Sequence, residues 1–179
     1  VDSYELTVDR ECENFFALLT PVAVDLRMIL SIIKINNNLE RIGDFADGIA
    51  HFVIHNQTEK INTELLGQLQ IREMFDEVIC MLKLCKSALA NEDSHMAGKV
   101  FAKDTPAVSQ IRRYLPIKKP TAMKHTEDSI RNIKKSLAEM WSLVQSQVEK
   151  SSAALLDGNK ELAHEITSRE KLVDSYELT

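Results

Sequence analysis

Residues 36–52 read NNNLERIGDFADGIAHF. Set on a helix, Glu40, Asp44 and Asp47 fall one turn apart along a single stripe, and Asn37 and His51 extend it. Like charges at that spacing cost a helix roughly 0.2–0.5 kcal/mol per pair, which a multivalent cation offsets. The helical pattern holding the stripe begins at Pro21, a good first helical residue, and continues to about Asn56. At 1.5 Å per residue that makes about 50 Å of helix.

The same periodicity recurs on either side. Over 124–156, Ile130, Ile133, Leu137, Met140, Trp141, Val144, Val148 and Leu155 return at intervals of three and four. Asp157-Gly158-Asn159 reads as a stop and a turn, and another helix starts near Lys160 and runs on to the last residue. Further helical patterns cover roughly 62–91 and 93–103. The segment 104–122, DTPAVSQIRRYLPIKKPTA, holds three of the four prolines and reads as a linker with a short helical turn near 107–114. With 5 Gly and 4 Pro in 179 residues, turn punctuation is scarce, which predicts an all-α chain of long helices and short turns. The length suffices for one domain or two small bundles with a core.

Charge and composition exclude several classes. A net charge of -5 gives no general pull on nucleic acid or anionic lipid. The basic pieces RNIKK at 131–135 and IRRYLPIKK at 111–119 are short and read as solvated surface. Cys12, Cys80 and Cys85 lack the spacing of a zinc knuckle or a redox pair and read as reduced, buried, small apolar side chains of a cytosolic protein. The most apolar run, LTPVAVDLRMILSIIKI, is interrupted by Asp25, Arg27 and Lys34, too charged to span a bilayer, and no signal peptide is apparent.

Two internal matches bear on organisation. A 66-residue offset aligns EMFDEVICMLKLCKSALANEDSHMAGKV with EMWSLVQSQVEKSSAALLDGNKELAHEI, pairing Glu73 with Glu139, Met74 with Met140, Phe75 with Trp141 and Ala88 with Ala154. The match spans a helix-turn-helix and suggests a duplication. The heptapeptide VDSYELT, moreover, occurs at 1–7 and again at 173–179. Placing Met123–Thr179 ahead of Val8–Asp104 joins the two copies into one uninterrupted helical pattern.

In that rejoined order the chain resembles the PhoU family, cytoplasmic regulators of bacterial phosphate uptake. The matching pieces are VDSYELTVDRECENFFAL, PVAVDLRMIL and IKINNNLERIGDFADGIA, the last two being the most specific. The resemblance implies two similar three-helix bundles with a Glu-x-x-x-Asp metal motif on the third helix of each. The first motif is Glu40 and Asp44, with Asp47 one turn on; the second has no counterpart here, where the proline-rich segment follows Asp104. The expected architecture is a PhoU-like three-helix bundle of 1–57 with 123–179, a helical hairpin at 58–104 left from a partial second bundle, and a linker at 105–122.

The resemblance also implies a function. Such proteins hold phosphate-starvation signalling off when phosphate is plentiful, acting as non-enzymatic adaptors between a phosphate ABC transporter and a membrane sensor histidine kinase. The chain is expected to be cytoplasmic and peripheral to the inner face of the membrane, a homo-oligomer that swaps helices through the repeated heptapeptide, and no partner of nucleic acid. Oxygen donors without thiolates suit Mg, Ca, Mn, Fe or Zn, and bridging carboxylates suit more than one ion. Iron or zinc is the expected metal, with magnesium or manganese as alternatives. On spacing alone, carboxylates along a helix are better read as solvated or paired with Lys and Arg; the resemblance is what singles out Glu40, Asp44 and Asp47. Gly43 is expected to permit a close approach, and Arg41 to lie off the stripe. Two other readings stand beside this one. Glu92–His95 and Glu161–His164 match the Glu-x-x-His of a ferritin-like di-iron oxidase, and a metal-free helical adaptor needs no site.

Overall fold

A computed structural model of the chain describes the backbone of residues 1–19, 21–55, 62–93 and 124–177, with side chains except at 124–126 and 169–177. The described residues form six helices and no strand: α1 (Asp2–Leu18), α2 (Ala23–His55), α3 (Thr63–Gln68), α4 (Ile71–Asn91), α5 (Lys124–Asp157) and α6 (Lys160–Glu177). The all-α expectation therefore holds. No helix among the described residues is long and apolar enough to cross a membrane. The helix expected over 93–103 and the linker expected over 104–122 lie, beyond Asp93, outside the described residues.

Two long helices organise the rest. α2 and α5, of 33 and 34 residues, pack side by side and run in the same direction. Along the groove between them two shorter helices follow one another. α1 lays Val8, Cys12 and Phe15 against Ile29, Ile32, Leu39 and Ala46 of α2 and Ile133, Leu137, Met140 and Val144 of α5. Farther along, α6 lays Ala163 and Ile166 against Ala50 and Val53 of α2 and Ala154 of α5. α1 and α6 also touch each other. On the other side of α5, α4 brings Phe75 and Leu82 into the same core cluster. Each large apolar side chain so buried contributes about 1.5–3 kcal/mol.

Local chemistry sets the element ends. Pro21 stands just outside α2, because the Val22 carbonyl accepts the first helical bond, from Leu26 N at 3.0 Å. The single helix expected over 62–91 is instead two. Asn62 caps α3, its Oδ1 accepting from Leu65 N at 3.0 Å. Gln70 then adopts a left-handed conformation, φ 52°, which re-aims the chain into α4. α3 buries none of its residues, so it has no reason to share the axis of α4, whose apolar stripe packs on α5. α4 and α5 both end in a left-handed residue followed by the same bond. Beyond Glu92 (φ 51°) Asp93 N reaches Ala88 O at 2.9 Å, and beyond Gly158 (φ 64°) Asn159 N reaches Ala154 O at 3.0 Å. These positions correspond under the 66-residue offset.

The cysteines are all free. Cys12 is buried as expected, and burial, then the charges of Asp9, Glu11 and Glu13, push its thiol up to about 12. Cys80 and Cys85 are only half-buried, Cys85 packing against the core cluster from the stripe of α4. Burial pushes the Cys85 thiol up to about 11.

Candidate metal centre

The stripe on α2 takes its surroundings from α1, which packs antiparallel to it after a short connection. Asn36, fully buried, fixes the match between the two helices. Its Nδ2 donates to the backbone carbonyl of Glu5 at 3.0 Å and to Asp9 Oδ1 at 2.9 Å. One turn on, Glu40 lies in the field of Glu5 and Asp2. Another turn on, Gly43 leaves room for Val1: a Cβ there would stand 2.8 Å from Val1 Cγ2 and 3.3 Å from Gln147 Oε1. The close approach expected at Gly43 is thus made by α1.

Glu40 and Asp44 come together through a side-chain hydrogen bond. Burial pushes the Glu40 carboxyl up to about 7, assisted by that bond and then by the charges of Asp44, Glu5 and Asp2. Carboxylates crowded in this way mark a place short of positive charge. Asp47 is turned to His51, its Oδ2 standing 3.3 Å from Nε2. Asn37 and Arg41 are exposed. Past Asp44, the residues Phe45, Gly48, Ile49 and Phe52 line an open apolar hollow of about 420 Å³ with Leu66 and Leu155.

Sequence reasoning missed Asn36, Glu5 and Asp9. The signal was present: Glu5-x-x-x-Asp9 repeats the spacing of Glu40-x-x-x-Asp44, and the two pairs lie on neighbouring helices bridged by Asn36. The donor set is all carboxylate oxygen, which fits a hard or borderline cation. It is not a closed shell, for no three His, Cys, Asp or Glu side chains among the described residues stand together closely enough to hold a metal. Glu40 and Asp44 fit as two ligands of such an ion.

The di-iron arrangement is not assembled among the described residues. Glu92 Oε1 accepts from Lys134 Nζ at 2.8 Å, and His95 lies outside them. Glu161 and His164 are both exposed on the first turns of α6.

Comparison with known proteins agrees with the resemblance. The PhoU domain model matches residues 1–53, the stretch that holds both Glu-x-x-x-Asp pairs. The phosphate-specific transport system accessory protein PhoU homolog of Aquifex aeolicus is 30% identical over 145 residues, covering 76% of this chain and 59% of that protein. The homolog of Pseudomonas putida is 32% identical over 143 residues, covering 80% of this chain and 54% of that protein. PhoU homolog 1 of Thermotoga maritima is 29% identical over 104 residues, 58% of this chain and 44% of that protein. The chain spans about half the length of the curated relatives it matches. No solved structure gave a significant match. Through residues 1–53 and its likeness to these proteins over most of its length, the chain belongs to the PhoU family.

Proposed function

We propose that the chain is a non-enzymatic regulator of phosphate uptake and phosphate-starvation signalling, and that Glu40 and Asp44 bind a metal ion. The observation that carries the regulatory reading is the likeness to proteins named as accessories of a phosphate-specific transport system, none of them named as an enzyme. The metal reading is supported by the paired Glu-x-x-x-Asp motifs on α1 and α2 and by the close approach of the Glu40 and Asp44 side chains. Asp47, one turn on, is the third expected ligand, and the rest of the shell comes from water or a partner. Iron or zinc is the expected ion, with magnesium or manganese as alternatives. The bound ion contributes positive charge among crowded carboxylates and supplies no reaction. The chain then works at the cytoplasmic face of the membrane, as a homo-oligomer, between a phosphate transporter and a sensor histidine kinase.

Deleting the gene should raise expression of phosphate-starvation genes in phosphate-rich medium, and unchanged expression would remove the regulatory claim. For the metal, Glu40→Ala with Asp44→Ala should lower the metal found by elemental analysis of the purified chain. A double variant as metal-loaded as the wild type would reduce the motif to a structural one.

A further inference from the structure

α2 is apolar on two sides. One side, with Ile32, Leu39 and Ala46, meets the core. At about 100° per residue a second set points the opposite way. Val22 at the start of the helix is 54% exposed, Leu26 and Leu30 are 39% and 46% exposed, and Phe45 and Phe52 near its end 69% and 56%. Ile33, Asn37, Arg41 and Gly48 complete this series, which advances by four and three residues, the spacing of a helix-packing seam. A surface helix needs one apolar stripe, so the outer one calls for a cover.

We propose that this outer seam is the interface between two copies of the chain, their α2 helices antiparallel about a two-fold axis at Asn37. The proposal rests on the homo-oligomer reading and deepens it by naming the surface. The seam itself identifies the occupant, because reversal about Asn37 maps it nearly onto itself. Val22 then meets Phe52, Leu26 meets Gly48, Ile33 meets Arg41, and Leu30 comes within one residue of Phe45. Large stands against small at Leu26 and Gly48, where the hollow lined by Phe45, Gly48 and Phe52 receives the leucine. Asn37 meets its own copy, and an amide both donates to and accepts from another amide. Charge agrees with the reversal. Residues 26–34 carry Arg27 and Lys34 and no acid, and they come level with 40–47 of the second copy, which carry Glu40, Asp44 and Asp47 against Arg41. A parallel pair would instead set Arg41 on Arg41 and leave Gly48 facing Gly48. The five exposed apolar side chains, with Asn37 and the stem of Arg41, present on the order of 600 Å², so a two-fold pair covers about 1,200 Å², the lower edge of a specific interface.

Sedimentation of the full chain, with a chelator present so that no metal bridges two copies, tests the seam. The chain should form dimers. Leu30→Asp, at an exposed position, should raise the dimer dissociation constant by about tenfold or more. Gly48→Leu should do the same without harm to the fold, since a Cβ there meets nothing within 4 Å. Adding Leu26→Ala to Gly48→Leu should restore association, because the large and small partners have only changed places. Met74→Asp, at an exposed apolar position on α4, should change nothing. A monomer at every concentration overturns the seam together with the homo-oligomer reading. A dimer indifferent to Leu30→Asp and Gly48→Leu overturns the seam alone, as does one in which Leu26→Ala fails to rescue Gly48→Leu or Met74→Asp dissociates the pair.

Discussion

Met74 and Met140 hold the same place in the 66-residue self-match, yet one is 52% exposed and the other fully buried. Around them the two helices agree. Phe75 and Trp141 are both buried, as are Leu82 and Val148, and Ala88 and Ala154. The difference lies in the neighbours. α5 is packed on by α1, α2, α4 and α6, whereas α4 packs on α5 and the short α3. A shared pattern thus specifies the stripe both helices need, and the number of partners decides how far burial spreads around each one. The copies even meet at an equivalent point. Lys83 of α4 and Glu149 of α5, matched by the offset, pair at 3.2 Å, and the contacts of Lys86 with Ser142 and of Glu92 with Lys134 show the two running antiparallel.

The contrast is sharpened most by truncating each methionine. Met140→Ala removes a side chain from a packed core and should lower stability by about 2–5 kcal/mol. Met74→Ala should stay within about 0.5 kcal/mol. Urea unfolding midpoints measure both, and equal losses would mean that α4 is covered in solution.

The paired helix ends give the next effect. Gly158→Ala places a Cβ on a residue at φ 64° and should cost about 1–2 kcal/mol. Glu92→Gly should relieve similar strain at φ 51° while losing the partly exposed bond to Lys134, itself about 0–1 kcal/mol, for a net gain below about 1 kcal/mol. Thermal unfolding of the two variants should move in opposite directions; movement in the same direction would break the equivalence of the turns.

The smallest effect concerns Lys83 and Glu149. The Glu149 carboxyl is held below its ordinary value, first by the Gln145 side chain and then by Lys83. An acid depressed in this way adds stability above its unfolded value, about 4.5, and loses it as pH falls through the folded one. Lys83→Met should therefore cost less than about 1 kcal/mol at neutral pH. The difference from wild type should vanish in acid and shrink in salt, and a gap that persists at low pH would assign the loss to packing of the lysine stem.

Much of this was legible before the fold was seen. The three-and-four spacing of Ile133, Leu137, Met140 and Val144 announces a helix and the face it buries, because one stripe has to meet the core. The turn at Gly158 was legible too, since glycine adopts a positive φ freely. Gln70 and Glu92 take the same kind of conformation with no such sign, so the break after α3 was lost. Within the candidate site, the spacing of Glu40 and Asp44 brings them together on one helix. Their neighbours do not come from that helix. That α1 would set Glu5 and Asp2 beside Glu40 depends on long-range packing, to which local periodicity is blind. Among three successive asparagines, a rotation of about 100° per residue decides which one turns inward; Asn36 does, and Asn37 faces solvent.

Asn36 has one more consequence. An apolar stripe is tolerant of sliding: Val8, Cys12 and Phe15 moved by one turn would still meet carbon. The amide of Asn36 is not tolerant, since it needs a carbonyl and a carboxylate at fixed heights on α1, 3.0 and 2.9 Å away. A slip of α1 by a turn would strand a polar group in a dry interior, so this one side chain works as an index mark for the two helices, as a lone buried asparagine does in a coiled coil. Replacing it with leucine would remove the mark while leaving the glue, and helices once locked at a single height would be free to settle at several.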